Sequence, residues 1–184
     1  MSVINHKYKY VFLHEPHTGG RSVEKALMAH DDSHNCNGDH HISPLQMVQK
    51  GFITALQLCD YSTFRVVRNP YDWLVTCWLR NSRRSDFGDW VLMNPNPFKR
   101  DGTLFWKYQD DARFTLRLET IDLEFAFFLD MCEAPRVELE REGVTENKPD
   151  WRDLLTISQA RQLEASYPDV AKYGYSIFKE VLDV

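Results

Sequence analysis

The segment that decides the fold spans residues 8–28 and reads YKYVFLHEPHTGGRSVEKALM. Residues 8–14 are mostly aromatic or aliphatic and are followed by Glu15-Pro16, which predicts a short buried strand stopped by proline. Two glycines come next, and residues 22–28 have the composition of a helix. The segment therefore predicts a strand, a glycine-containing loop and a helix, the first half of a parallel α/β crossover.

The remainder of the chain repeats this alternation of strands and helices. Strands are predicted at 63–68 and 115–118. Helices are predicted at 22–28, 44–58 (one or two short ones), 71–82, 121–132 and 158–167, the last capped by Ser158. The polar stretch 31–43 and the Asn94–Pro97 segment are predicted to be loops. The order favours a single three-layer α/β domain over residues 1–184, with a central parallel sheet flanked by helices.

Composition limits the possible partners. The chain has 184 residues, 22 lysines and arginines against 27 acidic residues, and a net charge of −5. This balance argues against nucleic-acid and anionic-membrane partners. No apolar run approaches the roughly 20 residues of a membrane span, and no secretory signal is recognisable, so we expect a cytoplasmic protein. Four cysteines without a CxxC pair are typical of reduced thiols.

One segment departs from the acidic average. Residues 65–84 hold five arginines and a single acidic residue, Asp72. Such a cluster predicts either a local anion site or a solvated basic helix face.

The loop after the first predicted strand is a candidate phosphate site. Gly19 and Gly20 allow close backbone approach, and the N–H groups at the start of the next helix point outward with the positive end of the helix dipole. His17, Thr18, Arg21 and Ser22 can add donors. The alternative is an ordinary glycine-containing turn, because the loop does not match GxxxxGK[ST].

A second anion site is predicted where the next strand ends. Arg68 stands at the carboxyl end of that strand, where ligands bind in open α/β sheets, and Pro70 suits the first turn of the following helix. Thr76 lies about two turns into that helix, so a guanidinium and a hydroxyl could hold one anion. Alternatively, Arg68 is a surface residue and Thr76 faces the core.

Taken together and in this order, the motifs resemble those of the PAPS-dependent sulfotransferases, in the branch that includes the carbohydrate sulfotransferases. Residues 16–23, PHTGGRSV, are similar to that family's 5′-phosphosulfate loop, PKTGGTSV. Residues 67–76, VRNPYDWLVT, are similar to its 3′-phosphate motif. Residues 116–125 resemble its RFENLxxDF element, and Glu146-Asn147-Lys148 and Tyr173–Phe178 resemble its C-terminal region.

The resemblance implies a P-loop-nucleotide-hydrolase-like sulfotransferase fold and an enzyme. The donor would be 3′-phosphoadenosine 5′-phosphosulfate (PAPS) and the product adenosine 3′,5′-bisphosphate (PAP), with no metal required. The acceptor would be a hydroxyl, for example of a carbohydrate. By position in the motifs, the resemblance implies the following donor-binding residues: Pro16, His17, Thr18, Gly19, Gly20, Arg21, Ser22, Val23, Arg68, Thr76, Asn147 and Lys148.

One departure from the family concerns the cation at the leaving oxygen. His17 occupies the position of the family's lysine, and a histidine carries positive charge only when protonated. Arg21 replaces a small hydroxyl residue and could supply that charge. A relative that binds the nucleotide without catalysis is the corresponding alternative.

The base that accepts the acceptor's proton is expected between the first helix and the second strand. Relatives have a catalytic histidine in this region, and His41 matches it best, with His40 second. Glu15, at the mouth of the loop, is a third candidate. The alternative is that both histidines are ordinary loop residues.

Other classes of site fit the sequence less well. The stretch His30, Asp31, Asp32, His34, Cys36, Asp39, His40, His41 is rich in metal ligands, but its spacing does not match a zinc frame. A P-loop kinase-like phosphotransferase would need a loop lysine and a Ser/Thr that holds Mg²⁺. Cys77 and Arg83 satisfy the C-x5-R pattern of cysteine phosphatases, but within a run of helical periodicity. Aromatic faces stack on sugars, so the aromatic residues of the middle segment could bind a carbohydrate acceptor; the alternative is that most of them pack in the core or in a lid. They are Trp90, Phe98, Phe105, Trp106 and Tyr108.

Overall fold

The computed structural model describes residues 1–36, 38, 41–81, 86–93, 99–100, 103–104, 111–166 and 175. Two compact units make up the chain. Met1–Arg68 and Trp106–Val144 form the first, and Asn69–Phe105 and Thr145–Val184 form the second. The predicted turn at Asn94–Pro97 lies outside the described residues, as does the Tyr173–Phe178 motif apart from Tyr175.

Strands and helices alternate along much of the chain. The strands are β1 Val3–Asn5, β2 Tyr10–Leu13, β3 Ser33–Asn35, β4 Ser62–Val67, β5 Lys99–Arg100, β6 Thr103–Leu104 and β7 Phe114–Arg117. The helices are α1 Gly20–Leu27, α2 Pro44–Gln49, α3 Ala55–Asp60, α4 Pro70–Asn81, α5 Phe87–Met93, α6 Ile121–Met131, α7 Trp151–Leu154 and α8 Ile157–Ser166, with a short 3₁₀ turn at Leu118–Thr120.

The sheet of the first unit has five strands in the order β3-β1-β2-β4-β7. The three strands predicted from the sequence correspond to β2, β4 and β7, and these are parallel. The prediction of a wholly parallel sheet is wrong, because β1 runs antiparallel to both β2 and β3. A four-residue turn joins β1 to β2, and a connection this short can only link antiparallel strands.

Helices cover both faces of this sheet, as the three-layer prediction requires. Alternate strand residues such as Phe12 and Phe64 pack with α1 and α6, while Val11 and Leu13 pack with Ile42 and Met47 beside and within α2. Because both faces are covered, β2 is built of buried aromatic and aliphatic residues, and β4 is buried from Thr63 to Val67 although Ser62, Thr63 and Arg65 are polar. This is why β2 and β4 could be recognised as buried strands.

A buried polar chain ties the end of the α1 region to the sheet. The Nε2 atom of His30 lies 2.8 Å from the carbonyl oxygen of Pro135, which can only accept, so Nε2 carries a proton. In the neutral ring, Nδ1 is then the acceptor of a hydrogen bond that the Tyr10 hydroxyl donates over 2.8 Å. Burial raises the pKa of Tyr10 to about 12, so its hydroxyl remains the donor at neutral pH.

The second unit contains α4, α5, α7 and α8. Pro70 is the first residue of α4, as predicted, and the Asn69 side chain accepts the N–H groups of Tyr71 and Asp72 at 3.0 and 3.2 Å. The ring of Tyr71 stacks on Trp151 with centroids 4.6 Å apart. The predicted cap of the last helix is wrong: Thr156, rather than Ser158, accepts the N–H of Gln159 at 3.2 Å.

Within the part of the chain that the structure describes, no helix has the length and apolar character needed to cross a membrane. None of the four cysteines forms a disulfide, and Cys36 and Cys77 are buried whereas Cys59 is exposed.

Candidate functional site at the carboxyl edge of the sheet

The loop between β2 and α1 is a tight turn with two left-handed residues. His17 has φ of +62° and Gly19 has φ of +80°, and the Thr18 hydroxyl donates to the Glu15 carbonyl at 3.0 Å. Turns that include left-handed residues present successive N–H groups to one side, which is a common way to hold an anion. The two left-handed residues are consistent with the phosphate-binding turn predicted from the sequence.

Both glycines of this loop are required by their surroundings. A Cβ atom on Gly19 would lie 2.6 Å from Cδ1 of Leu118, and its positive φ also disfavours other residues. A Cβ atom on Gly20 would lie 2.0 Å from Cδ2 and 2.1 Å from Nε2 of His14. A side chain at either position would therefore force Leu118 or His14 to move.

We expect Gly20→Ala to destabilise the first unit, although alanine is normally the better residue inside a helix. Overpacking against His14 should lower the free energy of unfolding by about 1–3 kcal/mol, measured by urea denaturation. The matched control is the double variant His14→Ala/Gly20→Ala, in which the obstructing ring is removed. A single variant as stable as the wild-type protein would contradict the close contact.

The side chains around the start of α1 are engaged in contacts within the protein. Ser22 accepts the N–H of Glu142 at 2.9 Å, and Lys25 binds Glu140 and Glu142 at 2.7 and 2.8 Å. Val23 is buried in the core, and its N–H points to the Gly19 carbonyl at 3.5 Å. Pro16 is half-buried and Arg21 is exposed. The Ser22 N–H also donates to the Gly19 carbonyl, at 3.1 Å, so an anion at this loop would depend mainly on the backbone N–H groups that precede Ser22 and on the cationic side chains.

Arg68 lies at the same edge of the sheet as the loop. It follows β4, the parallel neighbour of β2, and its Nη1 donates to the His17 carbonyl at 3.1 Å. The guanidinium thus supports the left-handed residue of the loop. The structure brings together the two motifs that lie about 50 residues apart in the sequence, because the carboxyl ends of parallel strands meet at one edge.

His41 is held at this edge in a defined tautomer. Its Nδ1 lies 2.8 Å from the carbonyl oxygen of His14, which can only accept, so Nδ1 carries the proton. The neutral ring then has its lone pair on Nε2, the arrangement that a general base requires. His40 lies outside the described residues.

Glu15 is much less suited to the role of base. Its side chain has 0% exposure and pairs with Arg65, also at 0%, with 3.2 Å between Oε1 and Nη1. The Arg65 Nε also donates to Thr115 on β7 at 3.2 Å. An acceptor hydroxyl would have to reach a carboxylate with no exposed surface, so we interpret Glu15 as an anchor of the loop.

The remaining predicted donor-binding residues belong to the second unit. Thr76 is buried, and its hydroxyl donates to the Asp72 carbonyl one turn earlier at 3.2 Å, which matches the core-facing alternative. Lys148 forms an ion pair with the Asp72 carboxylate. Asn147 is exposed and has φ of +51°.

Two residues at this edge received no role in the sequence analysis, namely His14 and Arg65. Arg65 could have been noticed as a charge between the apolar residues Phe64 and Val66 of a strand, where it requires a buried partner. His14 carried no comparable signal, because its importance depends on contacts with Gly20 and His41 that only folding creates.

The cysteine phosphatase pattern and the metal-ligand cluster, two alternatives raised by the sequence, can be compared with the structure. Cys77 is buried within α4 and does not begin an exposed anion loop, while Arg83 lies outside the described residues. In the described ranges, no three His, Cys, Asp or Glu side chains are grouped so that they could hold a metal ion. His34 contacts Asp32 at 3.1 Å, and both side chains are largely exposed.

The interpretation of the loop, of Arg68 and of His41 rests on the residues of this chain and not on a relative. Comparison with protein-family models, curated proteins and solved structures gave no match.

Proposed function

We propose that this protein transfers a sulfuryl group from PAPS to a hydroxyl acceptor. The observation that carries the proposal is the meeting of three elements at one sheet edge: a left-handed glycine loop at the start of α1, Arg68 beside it, and His41 with its proton held on Nδ1. The order of the sequence motifs supports the same activity.

The donor would bind through its phosphates. The N–H groups at the start of α1 and the positive end of its dipole suit the 5′-phosphosulfate, and Arg68 suits the 3′-phosphate. During transfer the acceptor oxygen bonds to sulfur, while the bond between sulfur and the bridging phosphate oxygen breaks and PAP leaves. Protonated His17, or Arg21, would offset the charge that develops on that oxygen.

His41 would take the proton of the acceptor hydroxyl. Since Nδ1 is committed to the His14 carbonyl, the proton would go to Nε2, and the resulting imidazolium would keep the same hydrogen bond. The acceptor class that we propose is a carbohydrate. Of the aromatic residues suggested for stacking, half-buried Trp90 lies on α5, while Phe98, Phe105, Trp106 and Tyr108 have no described side chain.

A P-loop kinase-like activity is less well supported. Such an enzyme needs a loop lysine and a hydroxyl that holds Mg²⁺, whereas here the loop has His17 and the Ser22 oxygen accepts a backbone N–H from Glu142.

Ligand-dependent stability tests the proposal. PAP at 100 times its Kd should stabilise the protein by about 2.7 kcal/mol, observed as a rise in Tm that ATP with Mg²⁺ does not reproduce. Arg68→Met should reduce that rise, while the control Arg136→Met, at an exposed pair with Asp130, should not. Equal shifts with both nucleotides, or none with PAP, would contradict donor binding. Binding of PAP without turnover of labelled PAPS on any hydroxyl acceptor would instead indicate a non-catalytic relative.

A further inference from the structure

We infer that His14 is a positioning residue that sets the orientation of His41 relative to the phosphate loop. The inference rests on the proposed function, and it assigns a role to a side chain that the motifs of the sequence leave without one. It follows from contacts that His14 makes on two sides, one with the loop and one with the base.

The contact with the loop is steric. The His14 ring is buried, with 8% exposure, and is stacked at 23° on Phe12 with ring centroids 5.7 Å apart. Its Cδ2 and Nε2 atoms occupy the space where a side chain on Gly20 would lie. The ring therefore packs directly against the first residue of α1, whose N–H belongs to the proposed anion site.

His14 contacts His41, the proposed base, in two ways. The His14 carbonyl accepts the Nδ1 proton of His41 at 2.8 Å, and the His14 ring meets the His41 ring edge to face, at 60° and 5.1 Å between centroids. One residue thus fixes both the tautomer of His41, through its backbone, and the tilt of its ring, through its side chain.

A displacement of about 1 Å between reacting groups can reduce a rate by about 100-fold. The His14 ring contacts both the base and the start of α1, so its removal should alter their relative placement without removing either. The expected signature is a lower kcat with little change in nucleotide affinity, since none of the proposed donor contacts uses the His14 side chain.

Four variants distinguish a role of His14 in positioning His41 from an effect on the stability of the fold. His14→Ala should lower kcat about 10- to 100-fold with the Kd for PAP changed less than 3-fold, and His14→Phe, which keeps a ring of similar shape, should recover most of that loss. Gly20→Ala should lose stability, and His14→Ala/Gly20→Ala should regain it while kcat stays low. All assays are run at a temperature at which each variant is folded.

Two kinetic results would overturn the positioning role of His14. If kcat in the double variant recovers together with stability, or if His14→Ala retains wild-type kcat, the positioning role is wrong.

Long-range ¹⁵N–¹H spectra of the histidine rings give a readout independent of turnover. They should show the Nδ1–H tautomer of His41 in the wild-type protein and also in His14→Ala, which keeps the backbone carbonyl. The His41 ring resonances should nevertheless shift in His14→Ala, because the ring is no longer held at its angle, and should return towards their wild-type positions in His14→Phe. Absence of turnover in the wild-type protein with these spectra as expected would reject the proposed function alone, whereas unchanged spectra in His14→Ala would reject the positioning role alone.

Discussion

Replacing His41 by alanine should lower kcat for sulfuryl transfer by about 10²- to 10⁴-fold, the usual contribution of a positioned general base. The reason is geometric: the His14 carbonyl holds the Nδ1 proton and leaves Nε2 to receive the acceptor's proton. Nucleotide binding should survive, because none of the donor contacts proposed above uses the His41 ring. The measurement is turnover of labelled PAPS beside the affinity for PAP.

Two control variants make this result specific. His34→Ala removes an exposed histidine on β3, whose only described polar side-chain contact is with Asp32, and it should leave both turnover and affinity unchanged. His41→Gln keeps a polar side chain of similar reach but provides no basic nitrogen, so it should be nearly as slow as His41→Ala. If His41→Ala were as fast as the wild-type protein, His41 would not be the base, and His40 would become the next candidate.

The largest effect on stability is expected at the ion pair beneath the loop. Arg65→Met should lower the free energy of unfolding by about 3–5 kcal/mol, because it removes a cation from a fully buried Glu15 carboxylate. Urea denaturation with a fluorescence readout measures the change. Since Glu15 begins the turn that contains His17 and Gly19, we also expect weaker binding of PAP by whatever protein remains folded.

The double variant Glu15→Leu/Arg65→Met tests the cause of this loss. Replacing both charges by apolar side chains should recover much of the stability lost in Arg65→Met, since no buried charge is left uncompensated. Arg136→Met, which breaks the exposed pair with Asp130, is the surface control and should leave the midpoint nearly unchanged. A loss in Arg65→Met no larger than in Arg136→Met would show that the buried pair does not anchor the loop.

The elements recovered best from the sequence are those with a continuous local signal. β2 and β4 are buried on both faces and are followed by prolines, and α6 is rich in apolar residues, so each could be recognised without its neighbours. β1 and β3 were missed. Each has three residues, and β3 reads Ser-His-Asn, so its strand conformation depends on pairing with β1 rather than on its own composition.

The residues of the candidate site also differ in how well the sequence identified their roles. Gly19, Gly20 and Arg68 were identified from residue type and order, and His41 from the resemblance to the sulfotransferases; the structure brings all four to one edge of the sheet. Thr18 and Thr76 were identified as donors by the same reasoning. Their hydroxyls instead donate to the backbone carbonyls three and four residues earlier, a local contact that Ser and Thr side chains often make.

Alternating hydrophobicity, prolines and glycines act over a few residues, so they determine where β2, α1 and β4 lie and where the chain must turn. Contacts between distant residues depend on how the strands are ordered in the sheet. The Glu15–Arg65 pair and the meeting of His14 with Gly20 and His41 arise only when β2 and β4 become parallel neighbours and the segment before α2 folds back to their carboxyl ends. The anion loop was therefore readable in the residues themselves, whereas its buried anchor and the orientation of its base are products of tertiary packing.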